Sequence, residues 1–207
     1  MNFIEKIKQY RLRIISRILK KILKKLGIIF ESFYLMECRI DELGIEKKIQ
    51  LHDYSDVKEF YYDDVKDSNL FDNKKKELFK KRFESKNYSC FGIKSNHEII
   101  YLTWISWNHM NYPSIFNMRE PMMRDEALLE DSFCNPIYRG MGYHSKMNIY
   151  RLNIMLANGI KKAIVLILKE NIPAIKVQLK SGFKISQIIK YRKFFNLSRI
   201  KKIKYYD

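Results

Sequence analysis

The segment Leu129-Glu130-Asp131-Ser132-Phe133-Cys134-Asn135-Pro136-Ile137-Tyr138-Arg139-Gly140-Met141-Gly142-Tyr143-His144 constrains this chain more than any other. An extended run reaches Asn135–Pro136, passes a turn with glycines at 140 and 142, and opens a helix that Asn158–Gly159 stops. A strand feeding a helix through so short a turn belongs to an α/β layout. The first N–H groups of a helix have no internal partner, and the helix dipole favours negative charge there. Gly140 and Gly142 leave room for phosphate oxygens and Arg139 adds a cation, so a diphosphate is the natural ligand. An ordinary tight turn uses the same residues, so the segment gains meaning only from its surroundings.

Those surroundings read as one domain. A chain of 207 residues, 46% apolar and 30% charged, is long enough for a single packed core and too apolar for a disordered chain. Ile28–Ile40 predicts a strand, and Asp53–Ser85 predicts helix in two pieces divided near Ser68–Asp72, with Leu78, Phe79 and Phe83 on the core side. Tyr88–Lys94 and Glu98–Trp107 predict a hairpin about Ser95–His97, and residues 108–124 predict a long loop. Then come a strand over Ala127–Cys134, a helix from Gly142 to Ala157, a strand over Lys161–Leu168, a helix over Ile172–Lys180, and one or two strands after Phe183. The expected fold is α/β, a mixed central sheet with helices on both faces.

Thirty-two residues after Arg139 the chain reads Asn171-Ile172-Pro173-Ala174, and then Lys180-Ser181-Gly182-Phe183. Pro136–Gly142 resembles the coenzyme A pyrophosphate loop of the Gcn5-related N-acetyltransferases (GNAT), R-x-x-G-x-G/A after a strand. Asn171, Ala174, Lys180, Gly182 and Phe183 resemble that family's second signature. The match covers about Ala127–Phe183, and no motif lies in the earlier strands. The resemblance implies that pantetheine enters between two diverging strands, Ala127–Cys134 and Lys161–Leu168, as though it were a strand itself. It implies that backbone groups at Phe133, Cys134 and Asn135 bind pantetheine and polarise the thioester. Arg139, Gly140, Met141, Gly142, Tyr143 and His144 would hold the diphosphate, and Asn171 would lie along the cofactor arm. Acetyl-CoA, or another short acyl-CoA, is the implied co-substrate, and an amine, such as an amino sugar, another small amine or a peptide, is the acceptor.

An attacking amine must be neutral, although a free primary amine has a pKa near ~10, so a carboxylate is needed to take its proton. Leu129-Glu130-Asp131 resembles the L-E-D stretch of polyamine acetyltransferases, which makes Glu130 the expected base. Strand alternation groups Glu126, Glu130 and Cys134 on one face, with Glu126 in reserve. Three departures from the family stand out. Gln178 occupies the place of the usual acidic tyrosine, which leaves Tyr143, Tyr150 or the helix dipole to serve the leaving thiolate. His144 replaces Gly or Ala, and Cys134 replaces a small apolar residue and reads as packing. His109 and Trp107, where a strand enters the long loop, are the expected acceptor-binding side chains. Gln178 also keeps open a non-catalytic acyl-CoA sensor.

The net charge of +17 sits at the ends. Residues 1–25 hold nine Lys/Arg against Glu5 and residues 190–204 hold seven against no acid, leaving the rest nearly neutral. Residues 1–26 read as an amphipathic helical extension of a GNAT-like domain over 27–207. Ile4, Ile7, Ile15, Ile18, Ile22 and Leu26 line one side and Lys6, Arg13, Arg17, Lys20 and Lys24 the other. It is too interrupted to span a bilayer and does not look like a cleavable signal. Its apolar stripe suits packing on the domain, a second copy in a homodimer, or an anionic membrane surface. The interleaved aromatics and cations after residue 190 also admit nucleic acid, the least favoured partner. Cys38, Cys90 and Cys134 form no disulfide framework, and no metal-ligand spacing occurs, so a reduced cytoplasmic setting and a metal-free site are expected, with the inner membrane face open to the chain only if the basic helix takes the membrane option.

Overall fold

The computed structural model describes residues 18–50, 52–113, 116 and 118–205. Most of the expected N-terminal helix therefore lies outside the described residues, and 18–25 are helical (α1). The order continues β1 (Ile28–Arg39), α2 (Ile45–Ile49), β2 (Val57–Phe60), α3 (Tyr62–Val65), α4 (Asn73–Glu84), β3 (Tyr88–Ser95) and β4 (Glu98–Ser106). A small ladder β5 (His109–Asn111) and β6 (Arg119–Pro121) precedes β7 (Glu126–Cys134) and α5 (Tyr143–Ala157). The chain ends with β8 (Lys162–Leu168), α6 (Ile172–Lys180), β9 (Lys184–Phe194) and β10 (Leu197–Lys204).

Eight strands make one sheet in the order β10-β9-β1-β8-β7-β4-β3-β2. Every neighbouring pair is antiparallel except β7 and β8. Helices cover both faces, as expected. On one, α5 and α6 bury Met147, Leu152, Met155 and Ile175 against Tyr101, Ile105, Leu129 and Val165. On the other, α4 packs Phe79 beneath Trp104, ring centroids 5.2 Å apart, while Tyr112 and Phe116 of the 108–124 segment cover Phe33, Leu128 and Tyr191. Removing a ring such as that of Phe79 from this filled layer costs about 3–5 kcal/mol.

Three sequence expectations change. Residues 53–61 are not helical, because Val57–Phe60 pairs with β3 as an edge strand. The 108–124 loop contains the β5–β6 ladder, too short for the periodicity to announce. Leu78 is 41% exposed rather than in the core, and Phe79 takes the buried position.

Candidate active site

β7 and β8 are paired over Glu126↔Lys162 to Leu129↔Val165 and no further. From Glu130 onward, the edge of β7 that faces β8 has no strand partner, so alternate N–H and C=O groups there point into a gap. Asp131 marks the departure. It has φ 53°, a left-handed conformation that Asp tolerates, and the β4–β7 register slips by one residue beside it. The result is a β-bulge at the mouth of the gap. A cleft of about 1130 Å³ passes through it, with Glu130, Asn111 and Tyr112 on the α4 side and Tyr101, His144, Arg151 and Gln178 on the α5 side.

The bulge corrects the alternation argument. Glu130 sits opposite Trp104 and shares the α4 face, whereas Cys134 sits opposite Tyr101 and shares the α5 face. Glu130 is 13% exposed as a side chain; Arg82 Nη2 lies 3.2 Å from its carboxylate and Asn111 Nδ2 donates to it at 3.3 Å. Burial pushes its pKa up to about 7, although Arg82 pulls the other way. Asp131 is tied to Lys75 at 2.6 Å and to Arg82 at 2.8 Å, so Arg82 bridges both carboxylates. Glu126 plays no such part: at the closed end of the gap, it pairs with Lys162 and accepts from the Met123 N–H at 3.1 Å, outside the cleft lining.

On the other side, Gly140 and Gly142 have φ 84° and 83°, and a Cβ added to either would meet nothing within 4 Å. The space above the turn is open, and only glycine enters this backbone region without strain. Gly142 is the N-cap of α5 and offers no side chain to its first turn, which leaves those N–H groups available to an anion. Arg139 lines the cleft and donates from Nε to the Cys134 carbonyl at 3.2 Å. Asn171 caps α6, accepting from the Ala174 N–H at 3.4 Å, and borders the same cleft. Met141 is 65% exposed, and Tyr143 packs edge-on against Tyr138.

Of the backbone groups expected to bind pantetheine, one is engaged elsewhere, and the side chains around it pack or pair within the fold. The Asn135 N–H is spent on the Ile100 carbonyl at 2.9 Å, and its side chain binds Glu98 at 2.9 Å. Phe133 packs its ring on Phe71 at 4.9 Å. Cys134 borders the cleft with its thiol pKa raised by burial, which suits packing and not a thiolate. Trp107 donates to Ser89 at 3.0 Å and His109 sits in the β5–β6 ladder; neither lines the cleft. Asn111, Tyr112, Met118 and Arg119 of the same segment do.

Sequence reasoning missed a polar cluster beneath the gap. The Tyr101 hydroxyl hydrogen-bonds His144 Nδ1, and Ser132 on the bulge bonds Thr103 at 2.8 Å. Arg151 is 1% exposed and donates to the Trp104 carbonyl at 3.2 Å and to Asn148 at 2.9 Å. Among the described residues it has no carboxylate partner, and burial lowers its pKa to about 10, so it stays cationic. Among the described residues its Nε and His144 Nε2 are buried without partners. Burial and then Arg151 push His144 down to about 4, so its ring is neutral rather than a phosphate-binding cation. Gln178 is held by Asn148 at 2.7 Å in a buried amide network. Tyr143 and Tyr150 stay outside the cleft lining.

No family model and no curated protein matches the sequence. Solved structures do match. A GNAT-family protein from Novosphingobium aromaticivorans superposes with TM-score 0.56 at 11% identity, over 80% of this chain and 65% of its own. The chain has the GNAT fold. A GNAT-family acetyltransferase from Colwellia psychrerythraea gives 0.54 at 12% identity, over 82% of this chain and 59% of its own. The aminoglycoside N-acetyltransferase AAC(6')-Iy in complex with CoA gives 0.50 at 15% identity, over 62% of this chain and 91% of its own. The chain thus spans less than two thirds of the length of the Novosphingobium and Colwellia relatives.

Proposed function

We propose that this chain is an acyl-CoA-dependent N-acyltransferase that passes an acetyl or other short acyl group directly to an amine. The observation that carries the reading is the interrupted β7–β8 pairing. It opens one cleft that joins an uncapped helix N-terminus on the α5 face to a buried carboxylate on the α4 face. The fit is tested by the turn itself: Gly140 and Gly142 leave the space a diphosphate needs, and the free edge of β7 offers the hydrogen bonds of a missing strand.

Each residue then has a task. Arg139 and the α5 amides hold the phosphates. Glu130, poised near neutrality, takes the proton from the incoming ammonium or from the nitrogen once it is bonded to the acyl carbon. Asn111 and Arg82 fix the orientation of that carboxylate. Tyr112, Met118 and Arg119 border the acceptor side. On the α5 side, Gln178 cannot give a proton. The Ser132 and Tyr101 hydroxyls donate hydrogen bonds to the departing sulfur, with the Arg151 guanidinium supplying positive potential behind them. The Tyr101 hydroxyl is raised by burial, so it stabilises the thiolate and does not surrender its proton.

Two measurements on the full chain test this reading. Titration calorimetry is expected to show uptake of acetyl-CoA and of its free-thiol form. A thiol assay is expected to show coenzyme A release that depends on an added amine, with the amine recovered as its amide. Uptake without amine-dependent release would make the chain an acyl-CoA sensor, and no uptake would remove the reading altogether.

A further inference from the structure

At the β9–β10 edge of the sheet one face is covered and the other, among the described residues, is exposed. Ile189, Tyr191 and Phe33 of β9 and β1 are buried under the 108–124 segment. The opposite face of β9 and β10 carries Lys190, Arg192, Phe194, Leu197, Arg199 and Lys201, because Arg192 pairs with Arg199, Lys190 with Lys201 and Phe194 with Leu197. The four cations line a pocket of about 190 Å³. Among the described residues none of them makes an ion pair.

Beside the cations the surface turns apolar. Phe30 and Phe194 meet edge to face at 5.2 Å and are 42% and 48% exposed. At the turn beyond them Phe195 is 67% exposed and Leu197 79%. Phe195 has φ 50°, the left-handed region where glycine or asparagine is the ordinary choice and a bulky ring is strained by about 1–3 kcal/mol. A strained ring left two-thirds exposed among the described residues adds little to the fold's own core. The same turn is fastened to the end of α1, since the Phe195 N–H donates to the Gly27 carbonyl at 2.9 Å. Ile22, Leu19 and Ile18 of α1 and Leu26 just after it are each more than half exposed.

We infer that the β9–β10 turn, its four cations and the end of α1 form a binding surface for an anionic lipid bilayer. Charge decides the partner. A second copy docked face to face would bring eight uncompensated cations together, which is costly. Edge-strand protection accounts for lysines on β10, the sheet edge, but not for Lys190 and Arg192 on the inner strand β9 or for the apolar tip. Nucleic acid would use the cations and the rings, yet aliphatic Leu197, Leu26, Ile22 and Leu19 offer it nothing. A bilayer uses all three, with headgroup phosphates in the cationic pocket and the tip among the acyl chains. None of the residues of this surface lines the cleft, so the inference does not rest on the catalytic reading.

Flotation of the full chain with vesicles tests it. Binding is expected to vesicles of phosphatidylcholine with phosphatidylglycerol, to weaken as salt rises, and to be absent with phosphatidylcholine alone. Removing cations as Arg192→Ser with Arg199→Ser is expected to weaken it about five-fold per charge. Phe195→Gly is expected to keep or raise the melting temperature while weakening vesicle binding several-fold, an outcome that a merely structural ring would not give. Vesicle binding unchanged in these variants would overturn the inference. So would single-stranded RNA displacing the chain from vesicles at equimolar phosphate, or self-association that Phe195→Gly abolishes.

Discussion

The two sides of the cleft are built on opposite plans. On the α5 side the ligand-facing groups are mostly backbone: amides of a helix N-terminus, glycines with nothing above them, and a strand edge without a partner. On the α4 side they are side chains from three separate elements, Glu130 on β7, Arg82 and Lys75 on α4, and Asn111 on β5 with Tyr112 directly after it. Backbone recognition needs a local conformation, and a short motif can write it. Side-chain recognition needs distant segments to converge. On the proposed reading, the α5 side would serve any chain that uses the same co-substrate, and the α4 side would be where this chain's own acceptor is chosen.

The sharpest break between the sides is Glu130→Gln. It is expected to lower turnover by about 10²- to 10³-fold with acetyl-CoA binding unchanged by calorimetry. In the parent chain kcat/KM should rise with pH through about 7, where Glu130 ionises, and the variant should lose that limb. Stability gives a second readout. A carboxylate raised from 4.5 to about 7 on folding contributes stability that is full below 4.5 and lost as pH climbs through 7. Glu130→Gln should abolish this decline in denaturant titrations across that window. Equal turnover in parent and variant would transfer the base role elsewhere.

Next in size is Arg82→Met. Its guanidinium bridges Glu130 and Asp131 and lies over the Trp104 ring at 5.1 Å, with the side chain 10% exposed. Leaving two carboxylates with Lys75 alone is expected to cost about 3 kcal/mol in urea unfolding. Because Arg82 holds the Glu130 pKa down, the ascending limb of the pH–rate profile should move above 7. On the opposite side, Gly142→Val puts a β-branched residue at φ 83° and a side chain in the open space above the turn. Acetyl-CoA affinity is expected to fall about a hundredfold. Glu130 should keep its titration, read as the pH dependence of stability. If that also changed, the two sides would not be separable.

The same contrast explains what was legible in the sequence. Gly140, Gly142 and Asn171 stand in a strand–turn–helix pattern whose geometry is local, so the turn, the cap and the surrounding β7-α5-β8-α6 order could be read directly. Glu130 was visible as a carboxylate on a strand, but the bulge that turns it away from Cys134 arises from Asp131 at φ 53° and a one-residue slip, which no periodicity encodes. Arg82 stood among the lysines of α4 like any solvated cation. His109 and Trp107 were two to five residues from Asn111 and Tyr112, because the β5–β6 ladder decides which part of that segment faces inward. One further signal does lie in the sequence. Arg151 falls four residues after Met147 and four before Met155, so it lies in the buried stripe of α5, where a cation calls for an explanation.

That cation sets the last and smallest expectation. Tyr101 lies between the two sides: its backbone is in β4, its ring faces α5, and its hydroxyl touches His144. Arg151 lowers its pKa against the larger effect of burial, so the phenol stays protonated at neutral pH and acts as a hydrogen-bond donor. Tyr101→Phe removes one such donor and little volume, and turnover is expected to fall about tenfold, the worth of a single hydrogen bond to developing charge. The effect should be independent of acceptor and leave the limb near pH 7 in place, since Glu130 is untouched. It should also shrink with an acyl donor whose thiol is more acidic, because such a sulfur needs less help to depart. A uniform loss across donors would make the hydroxyl a support for His144, and the stabilisation of the leaving sulfur would then fall to Ser132 and the guanidinium alone.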